Sequence, residues 1–308
     1  MRGVSWRNGH KAECKFLPTD FYASSVEDAL LISRVLKLNK TSIVEKLSST
    51  SDSFYYSHDA KEISRYLGCE NEKTRINGLL NRFNCNNFAV LDDLQIGIGA
   101  GIYDQGALLN HSCDSNCMLS YSFNNATQQT DQHIRTIVDI EIGEELCHSY
   151  CDTAWHQEKR RSYLQETYEF WCDCYNCTNI EQRAEIEIQL LKLSLLEVSR
   201  NELMTLYHKT IGVEGMAVVC EVLTMAFEDG NVLLAKEACE RLVQLYRKIY
   251  KKNHPLIALQ LYTLGDLKFQ TDPAGAIACF QEALAIFKVA HGGNAFMSMS
   301  LTERIATM

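Results

Sequence analysis

Three cysteines packed into the run Cys172-x-Cys174-x-x-Cys177 constrain this chain more than any other feature. Thiolates at that spacing suit a tetrahedral zinc ion, and a metal bound there ties its segment to wherever the fourth ligand lies. Candidates for that ligand are Cys113 and Cys117 in NHSCDSNC, and Cys147 and Cys151 on either side of Tyr150. The chain has 13 cysteines and its N-terminus lacks the apolar core of a signal peptide. They are therefore expected as free thiols or metal ligands in a reducing compartment, the cytoplasm or nucleus, and not as disulfides. His10-x-x-x-Cys14 has the spacing of half a zinc site, but nothing upstream supplies the other half.

A length of 308 residues, 46% of them hydrophobic, is enough to bury a sizeable core and hold two or three domains. Only 3 prolines, 16 glycines and 9% aromatics fit an ordered, largely helical protein and exclude disordered or collagen-like chains. A formal charge of −9 argues against binding nucleic acid or an anionic membrane and favours a positively charged partner. No apolar stretch is read as approaching the roughly 18 residues of a membrane span.

Along the chain, Ser25 and Asp28 have capping-box spacing ahead of a helical pattern that runs to about residue 84, with a Ser/Thr-rich loop or short helices at 40–59. Between 88 and 150 the short apolar runs FAVL, IGIGAGIY, IRTIVDI and ELCHSY read as strands. Alternation in the last of these places Leu146, His148 and Tyr150 on one face and Cys147, Ser149 and Cys151 on the other. The GIGAG run has no following Lys-Ser/Thr, so its glycines are read as backbone accommodation in a strand or bend, not a phosphate loop. A charged helix is expected at 155–165, where Lys159-Arg160-Arg161 should solvate one face. From residue 180 onward the pattern is helical, broken near Gly212, Gly230, His254-Pro255, Asp272-Pro273 and Gly292-Gly293. Ala235, Cys239 and Leu242 share their spacing with Ala276, Phe280 and Ala283, which hints at paired-helix repeats close to the tetratricopeptide pattern.

Asn110-His111-Ser112-Cys113, then GEELCHSY, then CxCxxC, taken in this order, resemble the SET-domain protein lysine methyltransferases. WRNGHKAEC at the start resembles the end of a MYND zinc finger, and the helical tail resembles the C-terminal domain of the SET-and-MYND (SMYD-like) family. The resemblance implies an α+β fold: a SET-type β core with a helical insertion and a zinc-bound post-SET segment, followed by an all-α tetratricopeptide-like domain. The implied divisions are 1–16 (MYND remnant), 17–84 (insertion), 85–151 (SET core), 152–178 (post-SET) and 179–308 (helical domain).

The implied activity is methyl transfer from S-adenosylmethionine to lysines of proteins such as histone tails. An inactive relative that binds partner proteins on its helical domain is the alternative. By resemblance, Asn110 and His111 contact the cofactor, Tyr150 lines the channel where lysine meets the methyl donor, and Phe170 packs on the adenine. Cys113, Cys172, Cys174 and Cys177 match the ligands of a structural zinc. The family's opening strands, with their glycine-containing cofactor loop, and its upstream finger cysteines are not in this sequence. An N-terminally truncated member with an exposed sheet edge is therefore expected. Ser115 stands where relatives commonly have proline, which loosens one turn and removes no ligand.

Overall fold

The computed structural model describes residues 26–49, 57–127, 129–178, 198–209, 212 and 215–308. The His10/Cys14 half-site and the expected cap at Ser25 lie outside them. Helices α1 (Val26–Lys37), α2 (Thr41–Val44), α3 (Ser57–Leu67) and α4 (Lys73–Asn86) come first. Ala29, Ile32 and Val35 of α1 and Ile76, Leu79, Leu80 and Phe83 of α4 recur every three or four residues, so each helix presents one apolar stripe to a shared core. From that core α4 runs directly into the first strand.

β1 (Asn87–Leu91) and β2 (Gly97–Ile102) form an antiparallel hairpin. Its turn is closed by the Asp92 carboxylate, which accepts from the backbone N–H groups of Leu94 and Ile96, both at 2.9 Å, while Gln95 takes a left-handed φ of 63°. β3 (Asn110–His111) pairs in parallel with β6 (Cys147–His148), with Asn110 opposite Cys147 and His111 opposite His148. β4 (Cys117–Asn124) and β5 (Gln129–Thr136) form a second antiparallel pair.

Two sequence expectations are corrected here. The strand read at IRTIVDI starts earlier, at Gln129, and ends at Thr136, and the apolar-run reading missed its partner β4. The strict alternation around Tyr150 also fails. Cys147 and His148 are both buried and Leu146 is 43% exposed, because β6 is only two residues long and is covered on both faces where it crosses β3.

α5 (Gln157–Tyr168) and α6 (Tyr175–Thr178) carry the cysteine-rich segment. Then follow α7 (Arg200–Lys209), α8 (Met216–Glu228), α9 (Val232–Ile249), α10 (Pro255–Lys268), α11 (Pro273–Ala290) and α12 (Phe296–Thr307). α10 and α11 each open with proline in the first turn behind a capping side chain, His254 and Asp272, the one place where a helix loses nothing by the missing N–H. The paired-helix spacing corresponds to a packed interface: Ala235, Cys239, Leu242, Ala276, Phe280 and Ala283 are all buried. By length and composition α11 could cross a membrane, with a mean hydropathy of 1.3, which corrects the reading that no stretch approaches a span. Here it is a core helix, with Ala276, Cys279, Phe280, Ala283, Ile286, Phe287 and Ala290 buried.

The helical layer docks on the strands through polar contacts. Lys251 Nζ lies 2.9 Å from the Asp114 carboxylate, Asn253 donates to the Ile137 carbonyl at 2.8 Å, and the Tyr250 hydroxyl donates to Asp152 at 3.3 Å. These contacts set the end of α9 and the start of α10 against the segments that carry the candidate site.

Candidate functional site: a sulfur cluster beside a buried phenol

The β3–β6 pairing brings chain segments some 35 residues apart together, and α5 returns the cysteine-rich segment to the same place. As a result the Sγ atoms of Cys113, Cys172, Cys174 and Cys177 all lie within 4.8 Å of one another. Cys113 stands 3.5 Å from Cys177 and 4.0 Å from Cys172. Cys117 and Cys147, also weighed as the fourth ligand, are not in this group. Zn–S bonds of about 2.3 Å put tetrahedral sulfurs about 3.8 Å apart, so the four thiols fit a zinc ion with little movement.

Without a cation four clustered thiols cannot all ionise. Hydrogen bonding to Cys113 holds Cys174 down at about 6 and Cys177 lower still, while Cys113 is pushed up, first by Cys151 and then by the other three. An unshared-proton set of this kind is the chemistry a divalent soft-ligand metal resolves.

Arg160, expected on a solvated face, is instead 1% exposed. Its Nε donates to Cys113 Sγ at 3.2 Å and one terminal nitrogen reaches Cys177 Sγ at 3.5 Å and the Asn176 carbonyl at 3.2 Å. The other terminal nitrogen donates to the carbonyls of Thr153 and Trp155. A guanidinium can be buried here because negative sulfur and fixed carbonyl dipoles surround it. Its neighbours in the run behave differently: Lys159 lies over the Trp155 ring at 4.1 Å and Arg161 over Trp171 at 4.9 Å.

His111 links the cluster to Tyr150. The Tyr150 backbone N–H donates to His111 Nδ1 at 2.9 Å, so the ring proton belongs on Nε2, which faces Cys113 Sγ at 3.2 Å. Burial lowers His111 to about 4, which keeps the ring neutral and able to serve both partners. The Tyr150 phenol donates to the Leu109 carbonyl at 2.6 Å, and burial raises its pKa, so it stays protonated. Around it the rings of Tyr168, His148 and His111 stand at centroid distances of 4.7, 4.9 and 5.3 Å, and Phe170 meets it edge-on at 6.4 Å.

Two cavities meet at this phenol. One, of 380 Å³, is lined by Asn110, His111, Tyr150 and Phe170 together with Trp171 and Asp173, so all four residues expected at the cofactor border a single space. The other, of 440 Å³, lies between the strands and the helical layer and reaches Tyr250, Lys251 and His254. Cys85, Asn86, Ala107, Tyr150 and Tyr168 border both. The sequence reading missed Tyr168, Asn86 and Arg160. The YEF run just ahead of the cysteines was the available signal for Tyr168, whereas a basic run gives no sign of which member turns inward.

Residues 12–151 match the SET domain family and residues 224–288 a tetratricopeptide repeat. The chain is 28% identical over 265 residues to a human protein named N-lysine methyltransferase SMYD2, covering 74% of this chain and 59% of that one. It is 29% identical over 252 residues to the chicken (Gallus gallus) SMYD2, covering 70% and 56%, and 26% identical over 235 residues to the human histone-lysine N-methyltransferase SMYD3, covering 68% and 53%. The chain thus spans a little over half the length of these relatives. It matches a SET domain over residues 12–151, followed by a tetratricopeptide-repeat match, and it is similar to SMYD-named relatives across most of its own length.

Proposed function

We propose that this chain is a protein lysine N-methyltransferase that uses S-adenosylmethionine, with a structural zinc held by Cys113, Cys172, Cys174 and Cys177. One observation carries the reading: Tyr150 and Tyr168 form the wall common to two cavities, so a donor on one side and an amine on the other would meet end-on between two phenols. The relatives named as lysine methyltransferases point the same way.

The smaller cavity has the chemistry for the cofactor. Its 380 Å³ lies in the usual range for small-molecule sites, Phe170 and Trp171 offer faces for a flat base, Asn110 and Asn86 offer amides, and Asp173 offers charge to an ammonium group. Once bound, S-adenosylmethionine would supply an electrophilic methyl group on a positively charged sulfur. The remaining work falls to this chain's residues. Lysine has a pKa of about 10.4 and must lose its proton to attack, and a ring-walled passage disfavours the ammonium form by desolvation. Tyr150 and Tyr168 are both raised by burial, so neither serves as a phenolate base; each orients the amine by hydrogen bonding. The zinc takes no part in the chemistry. Its place is to hold the segment bearing Phe170 against the β3 turn.

A substrate reaching the larger cavity passes an acidic protein, which suits a basic, lysine-bearing peptide such as a histone tail. The repeat-type helices are the surface for partner proteins, and the thiol content fits the cytoplasm or nucleus. Isothermal calorimetry with S-adenosylmethionine, paired with transfer of labelled methyl to basic peptides, tests the reading. Saturable binding that is weakened by Asn110→Ala, with label on lysine, is expected; no binding by the unmodified folded chain would overturn it in favour of a scaffold. Metal analysis should find about one zinc per chain, reduced in Cys174→Ser.

A further inference from the structure

We propose that Cys151 is an oxidation-sensitive thiol which, on exposure to peroxide, forms a disulfide with Cys113 and so takes one ligand away from the zinc. The proposal rests on the reading that the four clustered cysteines hold that metal. Cys151 is a fifth sulfur at the cluster: its Sγ, Cys113 Sγ and a ring nitrogen of His111 lie within 4.8 Å of one another. A tetrahedral site is already complete with four thiolates, so Cys151 is spare.

The sulfurs are reached from two sides: Cys113 and Cys151 border the 440 Å³ cavity, whereas Cys172 and the half-buried Cys174 border the 380 Å³ one, where a bound cofactor would cover them. A small oxidant entering the 440 Å³ cavity meets Cys151 first, since that residue is half-buried and Cys113 is only 3% exposed.

The Cys151 thiolate attacks one oxygen of hydrogen peroxide, forming an S–O bond as the O–O bond breaks; the departing hydroxide takes a proton and leaves as water. The Cys113 sulfur then attacks the Cys151 sulfenic acid, forming S–S as S–O breaks, and a second hydroxide leaves as water with another proton. The two sulfurs give up two electrons and one peroxide becomes two waters. Three thiolates remain on the metal. His111 Nε2 loses the sulfur it faces at 3.2 Å, and with it the link that runs on to the Tyr150 backbone. The consequence is loss of zinc together with loosening of the phenol's surroundings.

Zinc is counted on the purified full chain, which tests the ligand reading by itself. Hydrogen peroxide is then added while released zinc is followed with a chromogenic chelator, and disulfides are mapped by differential alkylation and mass spectrometry. The expected result is zinc release in step with a Cys113–Cys151 linked peptide, reversed by a dithiol and slowed about tenfold or more in Cys151→Ser. Equal release from that variant, or disulfides confined to Cys172, Cys174 and Cys177, would overturn the proposal. Should Cys151→Ser fail to fold, the map of the unmodified chain decides, because no Cys113–Cys151 bond after peroxide is equally fatal. A chain that carries no zinc yet forms this bond would sink the ligand reading and still support the pairing.

Discussion

Arg160 presents a buried positive charge whose donors all find sulfur or carbonyl acceptors, and the four clustered sulfurs, two of which it touches, would as thiolates hold more negative charge than the proposed zinc cancels. Replacing it with methionine keeps the volume and removes that compensation. Arg160→Met is expected to weaken zinc binding by about 10- to 100-fold, the usual cost of losing an outer-shell partner, measured by competition with a chromogenic chelator. Arg160→Lys should rescue little, because an ammonium cannot span both sulfurs and the carbonyls as a planar fork does. Tyr150→Phe is a separate case. It removes only the hydroxyl that donates to the Leu109 carbonyl, so it should depress turnover by about 10-fold or more while the chain stays folded with a slightly lowered thermal midpoint, and a variant with full turnover would remove the phenol from the proposed mechanism. At this scale the motifs named residues that the structure brings together: the four cysteine sulfurs cluster and Tyr150 borders the cavity beside them. Arg160 was not legible in this way, since nothing in Lys159-Arg160-Arg161 distinguishes the side chain that turns inward.

Among the elements, the α10–α11 pair shows how closely the repeat helices approach. A Cβ on Gly265 would lie 2.4 Å from the edge of the Phe280 ring, which is itself wholly buried and has no room to withdraw. Alanine in a helix is ordinarily worth up to about 1 kcal/mol over glycine, but overpacking a closed interface costs about 1–3 kcal/mol. Gly265→Ala is therefore expected to be destabilising, seen as a lower urea midpoint with the slope unchanged, and Phe280→Leu in the same chain should recover part of the loss. Helix positions were readable throughout this region because Gly230, Pro255 and Pro273 punctuate a strong 3.6-residue pattern. The strands were read less well. β3 and β6 have two residues each, too few for alternation to show, and they exist because they pair with each other.

Across the whole molecule, burial of histidine couples stability to pH. His148, beside the phenol, and His254, stacked on Tyr250 at 4.3 Å where α10 meets the strands, are both lowered to about 4 by desolvation. Below about 6.5 the unfolded chain takes up protons that these folded sites refuse until about 4, so stability is level above this window and falls as pH drops through it. Each imidazole contributes a slope of about 1.4 kcal/mol per pH unit there. Urea midpoints at pH 7, 5.5 and 4.5 should decline, and His254→Phe should flatten the decline; an unaltered slope in that variant would show that His254 does not contribute.

By itself the sequence located most of the described helices and their breaks and named the candidate site residues, because capping, periodicity and motif spacing act over a few residues; the helical reading of residues 180–197 lies outside the described residues. Spacing alone left Cys113, Cys117, Cys147 and Cys151 open and the family resemblance pointed to Cys113; the tertiary structure puts the Cys113 sulfur among the three later ones, and it alone decided that Arg160 enters their midst and that Tyr168 shares a wall with Tyr150. Each of these depends on where the β3–β6 crossing and α5 bring distant segments together, and proximity of that kind arises from the packing of the whole chain, which no local pattern encodes.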